Sequence, residues 1–156
     1  MIEIREVYEP SKKAGFCNDI LRALPDWFGV ETSIEEYVQQ VLALLFYAVF
    51  DGARAVGFAA VKVHNAFTAE VCVMGILAAY HRQGLGKTLI EHCEKYCKNN
   101  HHAFLTVKTL DESRTSKSYE KTRSFYLAMG FVPLEVFPLH WNEENPCLFM
   151  AKHISV

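Results

Sequence analysis

The chain has 156 residues and a mass of 17.8 kDa, with 51% hydrophobic and 22% charged residues. These values are typical of a globular protein with a packed core and exclude a disordered chain, so we expect one domain over residues 1–156. Sixteen Lys and Arg residues against 18 Asp and Glu residues give a net charge of -2, which leaves no general basic surface and argues against nucleic acid as a partner.

The amino-terminal part of the chain is predicted to form one strand and two helices. Alternating apolar residues predict a strand over residues 2–7. Pro10 then opens a helix, and Pro25 stops it. Ser33 and Glu36 have the spacing of a capping box, which predicts that a second helix starts there.

Three strands in an antiparallel meander are predicted next. From residue 45 the sequence is rich in aromatic and β-branched residues, and Asp51-Gly52 lies between two such runs as a two-residue hairpin turn. The second strand covers residues 53–63 and the third covers residues 67–77, where Gly75 is expected to mark a bulge.

The carboxyl-terminal part alternates helices and strands. Apolar spacing predicts helices over residues 84–99 and 118–129, the latter with Gly130 as its cap. The three remaining strands are predicted over residues 103–109, 131–139 and 147–154. A strand, helix and strand in succession should cross over and place strands 67–77 and 103–109 parallel. The expected fold is thus mixed α/β: about seven strands, mostly antiparallel, with four helices.

The turn between the third meander strand and the following helix carries the strongest chemical signal. Gly84 and Gly86 lack side chains, so an oxyanion can approach the backbone and the unpaired amides at the positive end of the helix. Two nucleotide motifs are excluded: a P-loop needs glycine where the chain has His81, and a Rossmann fingerprint needs glycine where it has Leu89. The turn therefore predicts a phosphate site of another kind.

In these residues the sequence resembles the GNAT superfamily of acyl-CoA-dependent N-acyltransferases. The pyrophosphate loop of that family has the form Gln/Arg-x-x-Gly-x-Gly/Ala after a strand, and His81 to Gly86 occupy it, with His81 at the first position. Arg123 to Phe131 is similar to the last helix of the family and its Tyr-x-x-x-Gly-Phe ending, while Tyr119 replaces an Asn common near the helix start. The order of predicted elements also agrees, so the resemblance spans almost the whole chain.

The resemblance implies an N-acetyltransferase that uses acetyl-CoA and a small-molecule or peptide amine in a ternary complex. It implies Tyr126 as the acid that protonates the thiolate of coenzyme A. The third meander strand should splay near Gly75 and expose backbone groups of Ile76 and Ala78. The residues expected to bind coenzyme A are Ile76, Leu77, Ala78, His81, Arg82, Gln83, Gly84, Leu85, Gly86, Lys87 and Thr88.

The residue that takes the amine proton is less defined by the sequence. Glu70 shares a strand face with Cys72 and Met74, and some family members carry their base at a matching position; the alternative is a solvated surface acid. His64 and His81 are further alternatives for the base. For the whole protein, the alternative function is an acyl-CoA sensor of the same fold without turnover.

Other signals are interpreted as structural. Cys93 and Cys97 share a helix face beside His92, but no second ligand pair accompanies them, so we expect buried thiols and no metal. His101-His102 is expected to be a solvated helix end. Trp27-Phe28 could line the acceptor site or pack in the core.

Further expectations concern charge, location and assembly. Lys108, Lys117 and Lys121 could meet the 3'-phosphate of coenzyme A, although surface lysines are commoner. The acids at 26, 31, 35 and 36 hint at a cationic acceptor. The longest apolar run has 10 residues, about half of the ~20 that span a bilayer, so we expect a cytoplasmic protein. Exposed strand edges at the carboxyl end could pair two copies.

Overall fold

The computed structural model describes residues 1–155. These residues form four α-helices and seven strands. The helices are α1 (Pro10–Arg22), α2 (Glu31–Gln40), α3 (Leu85–Asn99) and α4 (Lys117–Ala128). The strands are β1 (Ile2–Glu6), β2 (Leu45–Asp51), β3 (Arg54–Val63), β4 (Thr68–Ile76), β5 (Phe104–Leu110), β6 (Val132–Asn142) and β7 (Asn145–His153). The predicted number and order of elements are confirmed.

All seven strands belong to one sheet with the order β1-β2-β3-β4-β5-β7-β6. The pairs β1/β2, β2/β3, β5/β7 and β6/β7 are antiparallel. The expected mixed fold, with a mostly antiparallel sheet and four helices, is confirmed. None of the helices within residues 1–155 is long and apolar enough to cross a bilayer.

The described residues group into two compact units. The first holds Met1–Lys62 and Val71–Lys95, and the second holds Val63–Glu70 and the described residues of Tyr96–Val156. β4 and α3 each contribute residues to both. The expectation of a single domain stays a prediction.

The core of the first unit is formed by α1, α2 and the amino-terminal strands. Pro10 lies in the first turn of α1, where its fixed φ suits a helix start and its missing N–H costs nothing. α1 buries Cys17, Ile20 and Leu21, as its apolar spacing predicts. Phe46 and Phe58 stack with their ring centroids 5.0 Å apart and are fully buried.

The predicted start of α2 was wrong. The helix begins at Glu31 with Val30 as its N-cap, and no side chain caps it. Glu31 instead accepts two 2.7 Å hydrogen bonds from Arg22 at the end of α1. These bonds hold a carboxylate at the positive end of α2, where the helix dipole favours it.

Two glycines in the first unit have roles that the structure defines. Asp51 pairs with Arg54, so the hairpin turn consists of Gly52 and Ala53, one residue later than predicted; Gly52 has φ +61°. Gly75 lies within β4, and a Cβ atom there would stand 3.1 Å from Leu24 Cδ1 and 3.3 Å from Ile20 Cγ2. Close packing of α1 therefore accounts for a glycine at this position, and the bulge expected there stays a prediction.

The second unit contains β5, the β6/β7 hairpin and α4. β7 pairs with β5 on one side and β6 on the other, and it buries Cys147, Leu148 and Met150. β6 is the exposed edge strand and joins β7 through a two-residue turn, because Asn142 pairs with Asn145. The pairing of two copies along this edge stays a prediction.

The cysteines are mostly buried, as predicted. Cys17, Cys93, Cys97 and Cys147 are buried, Cys72 is half-buried, and no disulfide joins any of them.

Candidate functional site

The loop between β4 and α3 has an unusual backbone conformation. A short 3₁₀ turn at Ala78–Tyr80 follows β4, and then Arg82 and Gly84 adopt φ angles of +62° and +77°. Glycine accepts such an angle readily, whereas a residue with a side chain pays roughly 1–2 kcal/mol for it. Left-handed residues in a loop can turn successive amides toward one side, which is the geometry of anion-binding nests.

The first turn of α3 continues this set of amides. The first hydrogen bonds of the helix run from Thr88 N to Gly84 O at 3.1 Å and from Thr88 Oγ1 to the same oxygen at 3.0 Å. The amides of residues 85–87 precede that bond and have no acceptor within the helix. The first turn carries no acid, and space within 4 Å of Gly84 on its Cβ side is open. The loop therefore fits an anionic group such as a diphosphate.

His81 holds the loop from within. Its Nε2 lies 2.5 Å from Ile76 O, and because a carbonyl only accepts, Nε2 donates. The ring also meets Trp27 edge-on at 5.7 Å between centroids. His81 thus holds the end of β4 to the loop, and its role as an alternative base stays a prediction.

Tyr80 fixes the other side of the loop. Its hydroxyl donates to Asp51 Oδ2 at 2.5 Å, at the β2/β3 hairpin. This hydrogen bond, together with burial and the charge of Asp51, raises the pKa of Tyr80. No local sequence pattern predicts this contact, since 29 positions separate the partners.

The backbone at residues 76–78 is partly engaged. Leu77 N donates to Val56 O at 2.9 Å, and Ala78 O accepts from His81 N at 3.2 Å. Because Ile76 O accepts from His81 Nε2, the carbonyls of Ile76 and Ala78 each have a partner within the loop. The expected role of the backbone groups of Ile76 and Ala78 toward coenzyme A stays a prediction.

Glu70 lies in the second unit and is buried, with 5% of its surface exposed. The alternative of a solvated surface acid was therefore wrong. Its Oε1 is 2.6 Å from His64 Nε2, and Lys108 Nζ lies 3.2 Å from Oε1 and 3.3 Å from Oε2. The side chain of Lys108 is thus directed to Glu70, which argues against the phosphate role considered for it.

Tyr126 is buried near the end of α4, and the residues after it form a Schellman motif. Phe131 N donates to Tyr126 O at 3.0 Å, and Gly130 N donates to Leu127 O at 3.0 Å, with φ +95° at Gly130. The rings of Tyr126 and Phe131 pack at 5.5 Å. Lys152 Nζ donates to Met129 O at 2.7 Å and adds a cation at the negative end of the helix.

Other sequence-predicted residues are structural. His102 is buried, with Nδ1 3.2 Å from Ala66 O, so its prediction as a solvated helix end was wrong; His101 is exposed. Cys93 and Cys97 are fully buried, as predicted. Phe28 packs edge-on against Tyr37 at 6.0 Å.

The candidate residues fall into two groups. The loop residues belong to the first unit, whereas Glu70 and Tyr126 belong to the second. The structure brings His81 of the loop together with Trp27, and Glu70 together with His64 and Lys108.

Comparisons with known proteins show the family and the fold of the chain. The model of the acetyltransferase (GNAT) family matches residues 4–131. A comparison with the curated proteins finds no match. Three solved structures have the same fold. A protein of the GNAT family from Desulfovibrio desulfuricans is 13% identical, with a TM-score of 0.84, over 99% of this chain and 100% of that one.

The second is the ribosomal-protein-S18-alanine N-acetyltransferase from Escherichia coli, 18% identical, with a TM-score of 0.78, over 100% of this chain and 96% of that one. The third is the PaiA N-acetyltransferase from Thermoplasma acidophilum in complex with coenzyme A, 18% identical, with a TM-score of 0.74, over 98% and 99% of the two chains. Because the family model covers most of the sequence, the chain belongs to the GNAT acetyltransferase family and is an acyltransferase.

Proposed function

We propose that the protein transfers an acetyl group from acetyl-CoA to a primary amine by direct attack in a ternary complex. The observation that carries this proposal is the loop with Arg82 and Gly84 in left-handed conformations ahead of the α3 amides. Each anion contact at a helix start contributes about 0.3–1 kcal/mol, or up to about 2 when partly buried. The amides of residues 85–87 together would then hold the diphosphate of coenzyme A.

Charge at the loop supports an anionic ligand. Arg82 and Lys87 are exposed beside the amides, and no acid lies in the first turn of α3. We propose that the loop residues His81 to Thr88 bind the cosubstrate mainly through their backbone. The side chains of Arg82 and Lys87 add positive charge. The hydrogen bonds of Tyr80 and His81 stabilise the conformation of the loop.

Three chemical needs define the transfer: a neutral amine, a polarised thioester carbonyl and a proton for the departing thiolate. We assign the last to Tyr126. A phenol has an ordinary pKa near 10 and a thiol near 8.5, so the proton transfer is uphill by roughly 2 kcal/mol, which a catalysed step can sustain. Glu70 belongs to the group of residues that remove the amine proton.

The acceptor is proposed to be a small-molecule or peptide amine. One solved relative acts, by its name, on the alanine of a ribosomal protein. In this chain, exposed acids on α2 such as Glu35 and Glu36 could attract a cationic amine. Glu31 is less available, because its carboxylate is paired with Arg22, and this hydrogen bond lowers its pKa.

The test is release of the thiol of coenzyme A from acetyl-CoA in the presence of amines, polyamines, amino acids and peptides. Tyr126→Phe keeps the ring that packs on Phe131 and removes only the hydroxyl. We expect kcat to fall by about 10²–10⁴, the range for a general acid, with the affinity for coenzyme A unchanged. An unchanged kcat would remove Tyr126 as the acid.

Calorimetry with coenzyme A provides the matching control for binding. Binding without thiol release for any amine would contradict the proposed transfer and favour the sensor alternative. Absence of binding at millimolar coenzyme A would contradict the role of the loop.

A further inference from the structure

A histidine, a buried carboxylate and a lysine form one polar cluster in the second unit. It consists of His64 in the turn before β4, Glu70 on β4 and Lys108 on β5. Glu70 accepts hydrogen bonds on both of its oxygens, two of them at Oε1. A buried carboxylate needs such partners, and the ammonium of Lys108 compensates its charge.

The donor and acceptor roles in this cluster follow from chemistry. A carboxylate only accepts hydrogen bonds, so His64 Nε2 carries a hydrogen and donates it to Glu70 at 2.6 Å. In the neutral ring the lone pair is then on Nδ1. The side chain of His64 is 35% exposed, against 7% for that of Glu70, so the ring is accessible from solvent while the carboxylate is not.

A further titratable group that faces the cluster is Cys147 on β7. Burial raises the pKa of the Cys147 thiol to about 11, the charge of Lys108 lowers it and that of Glu70 raises it further. The thiol therefore keeps its proton at neutral pH. Among side-chain types, imidazole is the one that ordinarily gains and loses a proton between pH 5 and 8.

We propose that His64 is the proton acceptor of the acetyl transfer, and that Glu70 is a positioning residue that holds its ring through Nε2. This inference rests on the proposed function and deepens it. Proton uptake at Glu70 itself would compete with three existing hydrogen bonds, whereas uptake at Nδ1 of His64 breaks none of those bonds.

The proton balance agrees with this assignment. An ammonium substrate loses one proton from nitrogen to His64 Nδ1, and the ring becomes an imidazolium paired with the Glu70 carboxylate. The neutral amine attacks the carbonyl carbon, a C–N bond forms and the C–S bond breaks. Tyr126 gives its proton to the thiolate and regains one from the acylated nitrogen. The proton on His64 passes to water, and one proton per turnover leaves, as the overall reaction requires.

The kinetic test compares His64→Gln with the wild-type protein as kcat/KM against pH. Gln can still donate to Glu70 but does not titrate, so we expect the rate at neutral pH to fall by about 10²–10⁴. The limb of the profile due to the histidine should disappear, and added imidazole should restore part of the rate of His64→Ala. Glu70→Gln should lower the rate in the same way, and the double variant should be no worse than either single one.

His153→Gln serves as the matched control, because His153 is an exposed histidine at the end of β7. Its profile should match that of the wild type. Melting temperatures identify any variant that is slow because it is unfolded, and His64→Asn offers a second substitution at the exposed position.

The failures of the two proposals are distinguishable. A wild-type protein that releases no thiol with any amine overturns the proposed function and the role of His64 with it. A wild type that turns over, while His64→Gln keeps both its rate and its pH limb, overturns the role of His64 alone and leaves Glu70 as the direct base. An NMR spectrum of the imidazole nitrogens gives an independent readout: hydrogen on Nε2 supports the positioning by Glu70, and hydrogen on Nδ1 of the neutral ring overturns it.

Discussion

The residues of the Tyr-x-x-x-Gly-Phe ending have a conformational role as well as a chemical one. Gly130 supplies the positive φ that ends α4, and Phe131 packs back on Tyr126 across the Schellman motif. An apolar side chain at position 126 thus meets a requirement of the helix end itself, which is a hydrophobic contact with residue 131. Only the hydroxyl oxygen exceeds that requirement, and this is why Tyr126→Phe separates chemistry from packing.

Gly84 offers a test of the loop at the scale of one residue. A Cβ atom there meets nothing within 4 Å, so the cost of Gly84→Ala comes from φ +77° and not from a clash. We expect a loss of roughly 1–2 kcal/mol of stability, or a rotated loop that no longer presents its amides. The Kd for coenzyme A, measured by calorimetry, should rise about tenfold, which corresponds to about 1.4 kcal/mol.

Gly15→Ala is the control for this substitution. Gly15 lies within α1, has no positive φ, and a Cβ atom there also meets nothing within 4 Å. Alanine should stabilise the helix by about 0.5–1 kcal/mol and leave the Kd for coenzyme A unchanged. An equal change of Kd in both variants, or in neither, would argue against the loop as the diphosphate site.

Sequence reasoning at this scale succeeded where the constraint is local. A glycine at a turn or helix end reflects the φ angle of its own residue, so Gly84 and Gly130 could be recognised. The partners of Glu70 could not, because Lys108 is 38 positions away and no local pattern records the contact. The burial of Glu70 likewise depends on how the strands pair in the sheet, which the residues next to it in the sequence do not record.

The elements show the same division between local and distant causes. Pro10 and Pro25 limited α1 correctly, since proline restricts its own backbone. The capping-box spacing of Ser33 and Glu36 predicted the start of α2 too late in the chain. The helix starts at Glu31, because Arg22 in the last turn of α1 donates two hydrogen bonds to Glu31 in the first turn of α2.

Ser116 is the N-cap of α4, and its removal tests how much that helix depends on its first turn. Its Oγ accepts a hydrogen bond from Tyr119 N at 3.3 Å. Ser116→Ala removes the capping oxygen, so the free energy of unfolding should fall by about 1 kcal/mol, the usual cost of losing an N-cap. Urea unfolding followed by circular dichroism measures the change.

Ser124→Ala provides a control in the same helix. Ser124 is exposed within α4, where alanine is the better helix former, so this variant should gain up to about 0.5 kcal/mol. The two substitutions remove the same atom and should act with opposite signs. Two losses of similar size would show that the cap contributes nothing beyond the general effect of serine removal.

For the whole molecule, the order of elements in the sequence was sufficient to predict the fold class. Two helices after the first strand, a meander, and then alternating helices and strands limit the arrangements that avoid crossed connections. The positions of turns were less certain, as Gly52-Ala53 shows. A shift of one residue there changes which side chain faces the core, and the tertiary packing decides it.

Buried thiols give the whole molecule a predictable response to alkaline pH. Burial raises the pKa of Cys17 to about 12, whereas a thiol in the unfolded chain has a pKa near 8.5. Above that pH the unfolded state loses a proton that the folded state keeps, so the free energy of unfolding falls by about 1.4 kcal/mol per pH unit for this group. The decline should continue until the pH approaches the folded pKa, and below pH 8.5 the full stability is present.

Cys17→Ala separates this linkage from packing, because the variant cannot titrate at position 17. At pH 7 it should be less stable than the wild type, since a fully buried sulfur atom is lost from the core. At pH 10 the wild type has lost roughly 2 kcal/mol at this thiol and the variant has not, so the difference between them should shrink or reverse. Urea unfolding at pH 7, 8.5 and 10 measures both effects. Parallel stability curves over this range would mean that the thiol titrates alike in both states, which full burial of Cys17 does not allow.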